Sequence, residues 1–286
     1  MGAASLLPAD PPRTPLPPGA CDCHMHAYGD PARYPVPEDA PFRPVEGGSI
    51  DAYLALRERL GLTRAVVVQP SAYGFDNRCT MDAVARLGPD GRAVVVVDES
   101  ASDAELAALT AQGARGLRFF MLPGGALGWE KLAPMAARIA EHGWHIQMQM
   151  DGRFLEEREA DLAHLPCPLV IDHNGKFLKP VGLDHPGLKA LRRLLDGGRT
   201  WVKTSGVYET SLEGAPRYSD TAAIARHLIA DYPERCVWAT NWPHPSVPGS
   251  PPDDALLSDL FAQWCGSEAV RARILVENPA ILYGFE

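Results

Sequence analysis

The sequence predicts a (β/α)8 TIM barrel that follows a short N-terminal arm, and three observations support this fold class. The chain has 286 residues, and the part after the arm has the typical length of one such barrel. Short apolar runs rich in Val and Ile alternate with helical stretches, as expected for buried parallel strands joined by helices. No G-x-G-x-x-G motif follows an early strand, which disfavours the alternative of a doubly wound open sheet.

Eight short apolar runs are the predicted strands of the barrel, and each is followed by a stretch with helical spacing. They cover residues 20–27, 65–70, 93–98, 115–120, 144–149, 168–172, 200–206 and 236–241. We therefore assign residues 20–286 to the barrel. Residues 1–19 are rich in proline, which predicts an extended arm because proline does not continue a helix.

Helical patterns fill the intervals between the strands. The predicted helices cover residues 51–61, 103–112, 130–142, 186–196, 219–231 and 254–264. Asp51 and Asp103 are of a residue type that often begins a helix, and Gly61 is of a type that often ends one. The regular alternation of strand and helix predicts a closed barrel, whose active site lies at the carboxyl ends of the strands.

The composition limits the partners of the chain. The net charge is −9, which disfavours nucleic-acid binding because that requires a basic surface. We find neither a secretory signal nor a run of 18 apolar residues, and expect no membrane contact. Six scattered cysteines do not suggest a disulfide scaffold and predict a reducing, cytoplasmic location. A small anionic substrate remains compatible, and the chain is either a monomer or a homo-oligomer.

Polar residues recur at the carboxyl ends of the predicted strands. They are His24 and His26, Gln69 and Ser71, Arg118, Gln147 and Gln149, His173, Lys203 and Ser205, and Asn241 followed by His244. One polar residue at a strand end has little meaning. A set of them at the same end of consecutive strands is hard to explain by core packing, and it indicates an active site.

His24 and His26 share one face of the first strand, because side chains alternate along a strand. Two imidazoles on one face bind a metal ion, or form hydrogen bonds with a carbonyl or carboxylate group. The pair taken alone is also compatible with two histidines that only fill the mouth of the barrel.

Several motifs resemble the amidohydrolase superfamily. The run CDCHMH resembles its first-strand motif D-x-H-x-H. Together with VVVQPSAYGFDNR, GARGLRF, WHIQMQMDGR, VIDHNGK, WVKTSGVY and ATNWPHP, it is similar to the branch that contains 2-pyrone-4,6-dicarboxylate lactonase and galactarolactone isomerase. The resemblance extends from about Asp22 to the terminal NPAILYGF. It implies a barrel enzyme that acts on a small carboxylated lactone.

The resemblance also bears on metal binding. Metal-dependent members of the superfamily use the H-x-H pair, Lys or Glu on strand four, histidines on strands five and six, and Asp on strand eight. This chain keeps His24, His26 and His173, but has Arg118, Gln149 and Asn241 at the other positions. Arginine does not give up its proton to bind a metal, so we predict a site without a cofactor. One Zn2+ held by the three histidines is the alternative.

Arginine binds carboxylates through two parallel hydrogen bonds. In the resembling lactonases, the strand-four arginine and the loop after strand two hold the carboxylates of the substrate. The predicted substrate-binding residues are Ser71, Tyr73, Asn77, Arg78, Arg118, Gln147, Gln149, Tyr208, Arg217 and His244. Arg78 and Arg217 are equally compatible with an exposed surface position.

Asn241 stands where hydrolytic members have an aspartate that takes a proton from water. An amide has no useful basicity. A hydroxyl that is already part of the substrate needs less activation, because its effective concentration is very high. Its attack on the lactone carbonyl moves the ester from one oxygen to another. The resemblance to galactarolactone isomerase therefore predicts isomerisation of a 1,5-lactone to a 1,4-lactone, and hydrolysis is the alternative.

The predicted catalytic residues are His24, His26, His173 and Asn241. We expect His24 and His26 to donate hydrogen bonds to the carbonyl oxygen as it gains negative charge. We expect His173 to move the proton between the attacking and leaving oxygens, or to be the base of a hydrolase. A binding protein on an inactive barrel and a metal-dependent decarboxylase are the readings from other classes.

Overall fold

The computed structural model describes residues 6–38, 40–247 and 249–286. Eight parallel strands form one sheet, and each pairs with the next in chain order. They are β1 (Cys21–Met25), β2 (Arg64–Val68), β3 (Gly91–Val95), β4 (Ala114–Phe120), β5 (His145–Gln149), β6 (Leu169–Ile171), β7 (Thr200–Thr204) and β8 (Cys236–Trp238). Each strand overlaps one of the eight predicted runs.

The sheet closes between β1 and the segment that follows β8. The amide N of Asn241 donates to the carbonyl O of His24, and the amide N of His26 donates to the carbonyl O of Trp242, both at 2.8 Å. Helices follow the strands along the chain, so the prediction of a (β/α)8 barrel is confirmed.

Ten α-helices occur among the described residues. They are α1 (Ile50–Leu60), α2 (Arg78–Leu87), α3 (Asp103–Ala111), α4 (Leu132–Ala140), α5 (Glu159–Ala163), α6 (Pro186–Asp196), α7 (Ser219–Asp231), α8 (Asp254–Cys265), α9 (Glu268–Ala272) and α10 (Asn278–Tyr283). The six predicted helices are all present. The sequence analysis did not predict α5, α9 and α10, which are too short to show a periodic pattern. It also missed α2, whose preceding Asn77 makes no capping hydrogen bond with its side chain.

Serine rather than aspartate caps two of these helices. The Ser49 hydroxyl accepts a hydrogen bond from the amide N of Ala52 at the start of α1. Ser102 and Glu105 form a reciprocal capping box at the start of α3. Asp51 and Asp103 lie in the first turns instead, where the helix dipole favours negative charge. Gly61 ends α1 in the left-handed conformation, with φ of 79°, as predicted.

Strand residues contribute to two separate apolar clusters, because alternate side chains point to opposite faces of the sheet. One cluster joins residues such as Val67 to the surrounding helices. The other contains Cys23, Val66 and Val237 and is joined by Tyr283 from α10. The His145 ring lies 5.4 Å from the Tyr283 ring, so His145 belongs to this deep layer.

The described part of the arm packs against the end of the chain. The amide N atoms of Arg13 and Thr14 donate to the carboxylate of Asp259 in α8, at 3.1 and 2.9 Å. The carbonyl O of Leu6 accepts from Nε1 of Trp242 at 3.2 Å.

All six cysteines are free and buried. No helix in the described ranges is long and apolar enough to cross a membrane.

Asp22 supports the closure of the barrel. Its buried carboxylate accepts hydrogen bonds from the amide N and the hydroxyl of Thr240, at 3.0 and 2.6 Å. We expect Asp22→Ala to lower the free energy of unfolding by about 2–3 kcal/mol, because it leaves buried donors without an acceptor. Urea unfolding near neutral pH measures this loss.

Asp51→Ala is the matched control for this substitution. The Asp51 carboxylate is 69% exposed and pairs with Arg86 on the surface, so the control should cost less than about 1 kcal/mol. Burial raises the pKa of Asp22 to about 6, so the folded state binds a proton there more readily than the unfolded state. The contribution of Asp22 to stability should therefore decrease as the pH rises through about 6. Equal losses for the two variants would contradict the role of Asp22.

Candidate active site

A cavity of about 400 Å³ opens at the carboxyl ends of the strands. This volume suits a small molecule. Six predicted site residues line it, namely His26, Ser71, Arg118, Gln149, His173 and Asn241. The lining also includes residues that the sequence analysis did not select, among them Tyr28, Phe42, Arg43, Glu209 and Ser246.

Arg118 supplies a buried cation to the wall of the cavity. Its Nη1 donates to the carbonyl O of Gln69 at 2.6 Å, while its buried Nε has no hydrogen-bond partner. Burial lowers the pKa of the guanidinium group, but an arginine stays protonated. Donors without acceptors beside a cavity suit a carboxylate of a ligand.

His24 and His26 meet edge to edge, with their Nε2 atoms 3.2 Å apart. Nδ1 of His26 lies 2.7 Å from the carbonyl O of Val68, which only accepts, so Nδ1 carries the hydrogen and Nε2 of a neutral ring accepts. Burial and the charge of Arg118 lower the pKa of His26 to about 3. Burial also lowers the pKa of His24 well below its usual value. With both rings neutral, one hydrogen is shared by the two Nε2 atoms, instead of the two donors expected from the sequence.

A second polar layer lies beneath His26 and holds His24, Gln147, Asp172 and Lys203, all fully buried. The Lys203 Nζ atom donates to Oε1 of Gln147 at 2.6 Å. It also lies 3.3 Å from Nδ1 of His24 and 3.4 Å from Oδ1 of Asp172. Gln147 was predicted to bind substrate, but it belongs to this layer and does not line the cavity.

His24, Asp172 and His173 are the group among the described residues with atoms close enough to hold a metal ion, within 4.8 Å of one another. The donor set around them does not fit such an ion. The carboxylate of Asp172 is already paired with the ammonium group of Lys203. Burial would raise the pKa of Asp172, but Lys203 and His24 lower it well below its usual range.

His173 lines the cavity beside a carboxylate. Its Nδ1 lies 2.9 Å from the hydroxyl of Ser205, and its Nε2 lies 3.9 Å from Oε2 of Glu209. Burial lowers the pKa of His173 to about 4. Burial would raise the pKa of Glu209, but the ion pair with Lys176 lowers it to about 2. Sequence reasoning missed Glu209, although it follows the seventh strand at the same end as the other site residues.

Asn241 is held by a chain of three groups, namely the partly buried Tyr208 and the buried His244 and Asp254. Its Nδ2 donates to the Tyr208 hydroxyl at 3.0 Å. That hydroxyl lies 2.7 Å from Nδ1 of His244, whose Nε2 lies 3.1 Å from the carboxylate of Asp254. Asp254 can only accept when ionised, so His244 donates to it and Tyr208 donates to His244. The chain fixes the nitrogen end of the Asn241 amide on Tyr208 and leaves its oxygen for the cavity.

Tyr208 and His244 were predicted to bind substrate, but they lie behind Asn241 and do not line the cavity. Asn241 and His244 have φ of 61° and 64°. This left-handed conformation is more accessible to Asn and His than to most other residues with a side chain.

Four other predicted residues do not reach the cavity. The Tyr73 hydroxyl accepts from the amide N of Gly29. Asn77 bonds to the backbone N and O of Val96, at 2.9 and 2.7 Å, and braces two loops. Arg78 is 62% exposed in its side chain and pairs with Asp76, and Arg217 is exposed. The structure therefore leaves Arg118 as the predicted arginine that lines the cavity.

Three comparisons place this geometry among known proteins. A model of the family described as amidohydrolase matches residues 21–285. The chain is 38% identical over 276 residues to D-galactarolactone isomerase of Agrobacterium fabrum strain C58, with 95% of this chain and 93% of the relative covered. It is 33% identical over 282 residues to the 2-pyrone-4,6-dicarboxylate hydrolase of Comamonas testosteroni, with 95% and 92% covered. An apo crystal structure from Agrobacterium tumefaciens superposes with a TM-score of 0.91 at 37% identity, over 98% of this chain and 99% of that one.

Proposed function

The chain belongs to the amidohydrolase family, and from this premise we propose that it isomerises a small carboxylated sugar lactone, from the 1,5-lactone to the 1,4-lactone, without a metal ion. The relative named D-galactarolactone isomerase supports a sugar lactone as substrate. The sequence comparison confirms the superfamily that the motifs resemble, and the relatives are enzymes named for work on lactones.

The observation that carries isomerisation is the position of Asn241. Its amide lines the cavity and offers no base for water. Glu209 is the carboxylate among the described lining residues, and with its pKa held at about 2 by Lys176 it is a weak base. A hydroxyl of the substrate needs less activation than water, because it is held beside the carbonyl.

Each site residue has a separate role in the proposed reaction. Arg118 binds the free carboxylate of the lactone. His173 lines the cavity; its Nε2 takes the proton of the attacking hydroxyl, and the nearby Glu209 charge stabilises the imidazolium that forms. The new C–O bond forms, the old C–O bond of the ester breaks, and His173 returns the proton to the leaving oxygen. The hydrogen between His24 and His26 is used within the pair, so the two rings orient each other and are not the two free donors to the carbonyl oxygen that the sequence predicts.

Hydrolysis is the second candidate. Relatives at 33–35% identity are named as lactone hydrolases. His173 lines the cavity and is neutral near pH 7, because burial lowers its pKa to about 4, so it has a lone pair to accept a proton from water. In that reaction the same Arg118 holds the carboxylate and the product is the free acid. A one-zinc enzyme with His24, His26 and His173 as ligands is the remaining alternative.

The proposal also covers the partners of the chain and its location in the cell. A negative net charge argues against a nucleic-acid partner, and free buried cysteines suit the cytoplasm. We propose a small anionic lactone as the partner. Monomer and homo-oligomer both stay open.

The test is an NMR time course of an aldaro-1,5-lactone with protein dialysed against a chelator. We expect the 1,4-lactone to appear faster than the free acid, at a rate unchanged by chelation. Elemental analysis should show well under one equivalent of zinc, manganese or iron. Free acid as the main product would favour the hydrolase. A rate that is lost on chelation and restored by Zn2+ would make His24 and His26 metal ligands.

A further inference from the structure

The ammonium group of Lys203 lies fully buried beneath the active site and has no role in the proposed reaction. A lysine in the interior of a barrel is costly unless its charge is paired and hydrogen-bonded. Its partners are Gln147, Asp172 and His24. The mechanism given above does not use Lys203, so its presence needs another explanation.

The direction of each hydrogen bond around Lys203 follows from chemistry. A lysine ammonium group has three donors and no acceptor, so Oε1 of Gln147, at 2.6 Å, must accept. The other end of that amide is then the nitrogen, and it donates to Oδ2 of Asp172 at 3.1 Å. The same nitrogen lies 3.4 Å from Nδ1 of His24.

Two donors therefore face Nδ1 of His24, namely Nζ of Lys203 at 3.3 Å and Nε2 of Gln147 at 3.4 Å. Oδ1 of Asp172 also lies 3.4 Å from this nitrogen, but it makes no hydrogen bond. A neutral imidazole with donors at Nδ1 carries its hydrogen on Nε2. That hydrogen is the one that points at Nε2 of His26, 3.2 Å away.

We propose that Lys203 is a positioning residue that stands in for the metal ion of the superfamily: it holds His24 as the Nε2–H tautomer, so that the H-x-H pair is joined by an internal hydrogen bond and does not bind a metal ion. This inference rests on the proposed metal-free reaction and names the residue responsible for it. A metal bound at Nε2 of His24 requires a lone pair there, and hence a hydrogen on Nδ1. Lys203 and Gln147 oppose that tautomer.

Removal of the ammonium should reverse this arrangement. In Lys203→Met, the charge and one of the donors facing Nδ1 are gone, and the Asp172 carboxylate loses its cation. His24 is then free to carry its hydrogen on Nδ1 and donate it to Asp172. This carboxylate–histidine pairing is the one that orients metal-binding histidines in proteins. Nε2 of His24 then has a lone pair available to a divalent cation.

The first measurement uses the unmodified protein labelled with 15N-histidine. Two-bond proton–nitrogen correlation spectra distinguish the two tautomers, and His24→Gln identifies the signal by its loss. We expect the Nε2–H tautomer for His24 near neutral pH, in the absence of substrate. A hydrogen on Nδ1 of His24 in this protein overturns the proposal, whether or not any variant folds.

The second measurement is Zn2+ binding by calorimetry and elemental analysis. We expect Lys203→Met to bind Zn2+ about 100-fold more tightly than the wild type does, or tighter, and to switch His24 to the Nδ1–H tautomer. Lys176→Met is the matched control, because Lys176 is also buried but pairs with Glu209; it should leave the His24 tautomer unchanged. Equal Zn2+ affinity in wild type and Lys203→Met contradicts the proposal.

Neither measurement needs a lactone. A protein that converts no lactone at all would refute the proposed function and leave the tautomer result standing. Conversely, a fully active isomerase whose His24 carries its hydrogen on Nδ1 would refute only the role given to Lys203.

Discussion

Replacing Arg118 with methionine is expected to lower kcat/KM for a carboxylated lactone by roughly 30- to 700-fold, or about 2–4 kcal/mol. Methionine has a similar length but no charge and no donor. The loss is large because the cation is 5% exposed and its Nε has no partner within the protein. A ligand carboxylate therefore meets a guanidinium group that is already desolvated and held in place through Gln69.

Steady-state kinetics with two substrates would check this prediction. For a lactone whose carboxylate is replaced by an amide, Arg118→Met should lower kcat/KM much less than it does for the carboxylated lactone. The amide forms no ion pair with Arg118 in the wild type. Arg78→Met is the matched control, since Arg78 is exposed and bound to Asp76; we expect little change. An unchanged kcat/KM for Arg118→Met with the carboxylated lactone would remove Arg118 from the substrate site.

Replacing Asn241 with aspartate is expected to shift the products from rearranged lactone towards free acid. The two side chains have nearly the same shape, and the left-handed backbone at this position suits both. The new carboxylate supplies the base for water that the native amide lacks. It also adds a negative charge near an anionic substrate, so KM is expected to rise as well.

The partition between the two products is therefore the quantity to measure, by NMR, and not the overall rate. Gln149→Glu is a matched control, because it adds a carboxylate to the same cavity at another strand end. It should raise KM in the same way but leave the partition unchanged. If the native protein already yields mainly acid, and Asn241→Asp leaves that ratio as it is, Asn241 does not determine the reaction and His173 is the base of a hydrolase.

The sequence predicted the barrel because its strands are buried on both faces and therefore appear as continuous apolar runs, such as AVVV in β2. Short helices gave no such signal. The five residues of α5 span little more than one turn, which is less than a periodic pattern needs. The N-terminal caps were misplaced for a related reason. Ser49 and Asp51 are both good helix-starting residues, and only backbone geometry separates them.

The site was predicted less completely than the fold. Alternation along a strand tells which face of the sheet a side chain is on, but not how deep in the barrel it lies. Gln147 and Gln149 share a face, yet one lies in the buried layer with Lys203 and the other lines the cavity. Loop residues were harder still. Glu209 and Arg43 lie in connections whose paths depend on tertiary contacts, and a sequence pattern does not encode those paths.

The closure of the barrel has a consequence for how the protein is made. The hydrogen-bond partner of the Asp22 carboxylate, Thr240, is synthesised 218 residues later in the chain. At ribosomal rates of about 5–20 residues per second, this separation corresponds to a delay of roughly 10–45 s. During that interval β1 has one edge without its final partner, and Asn241 has not reached the catalytic histidines. Nascent chains should therefore gain activity in a single late step, and the exposed edge of β1 is where a chaperone would be most needed.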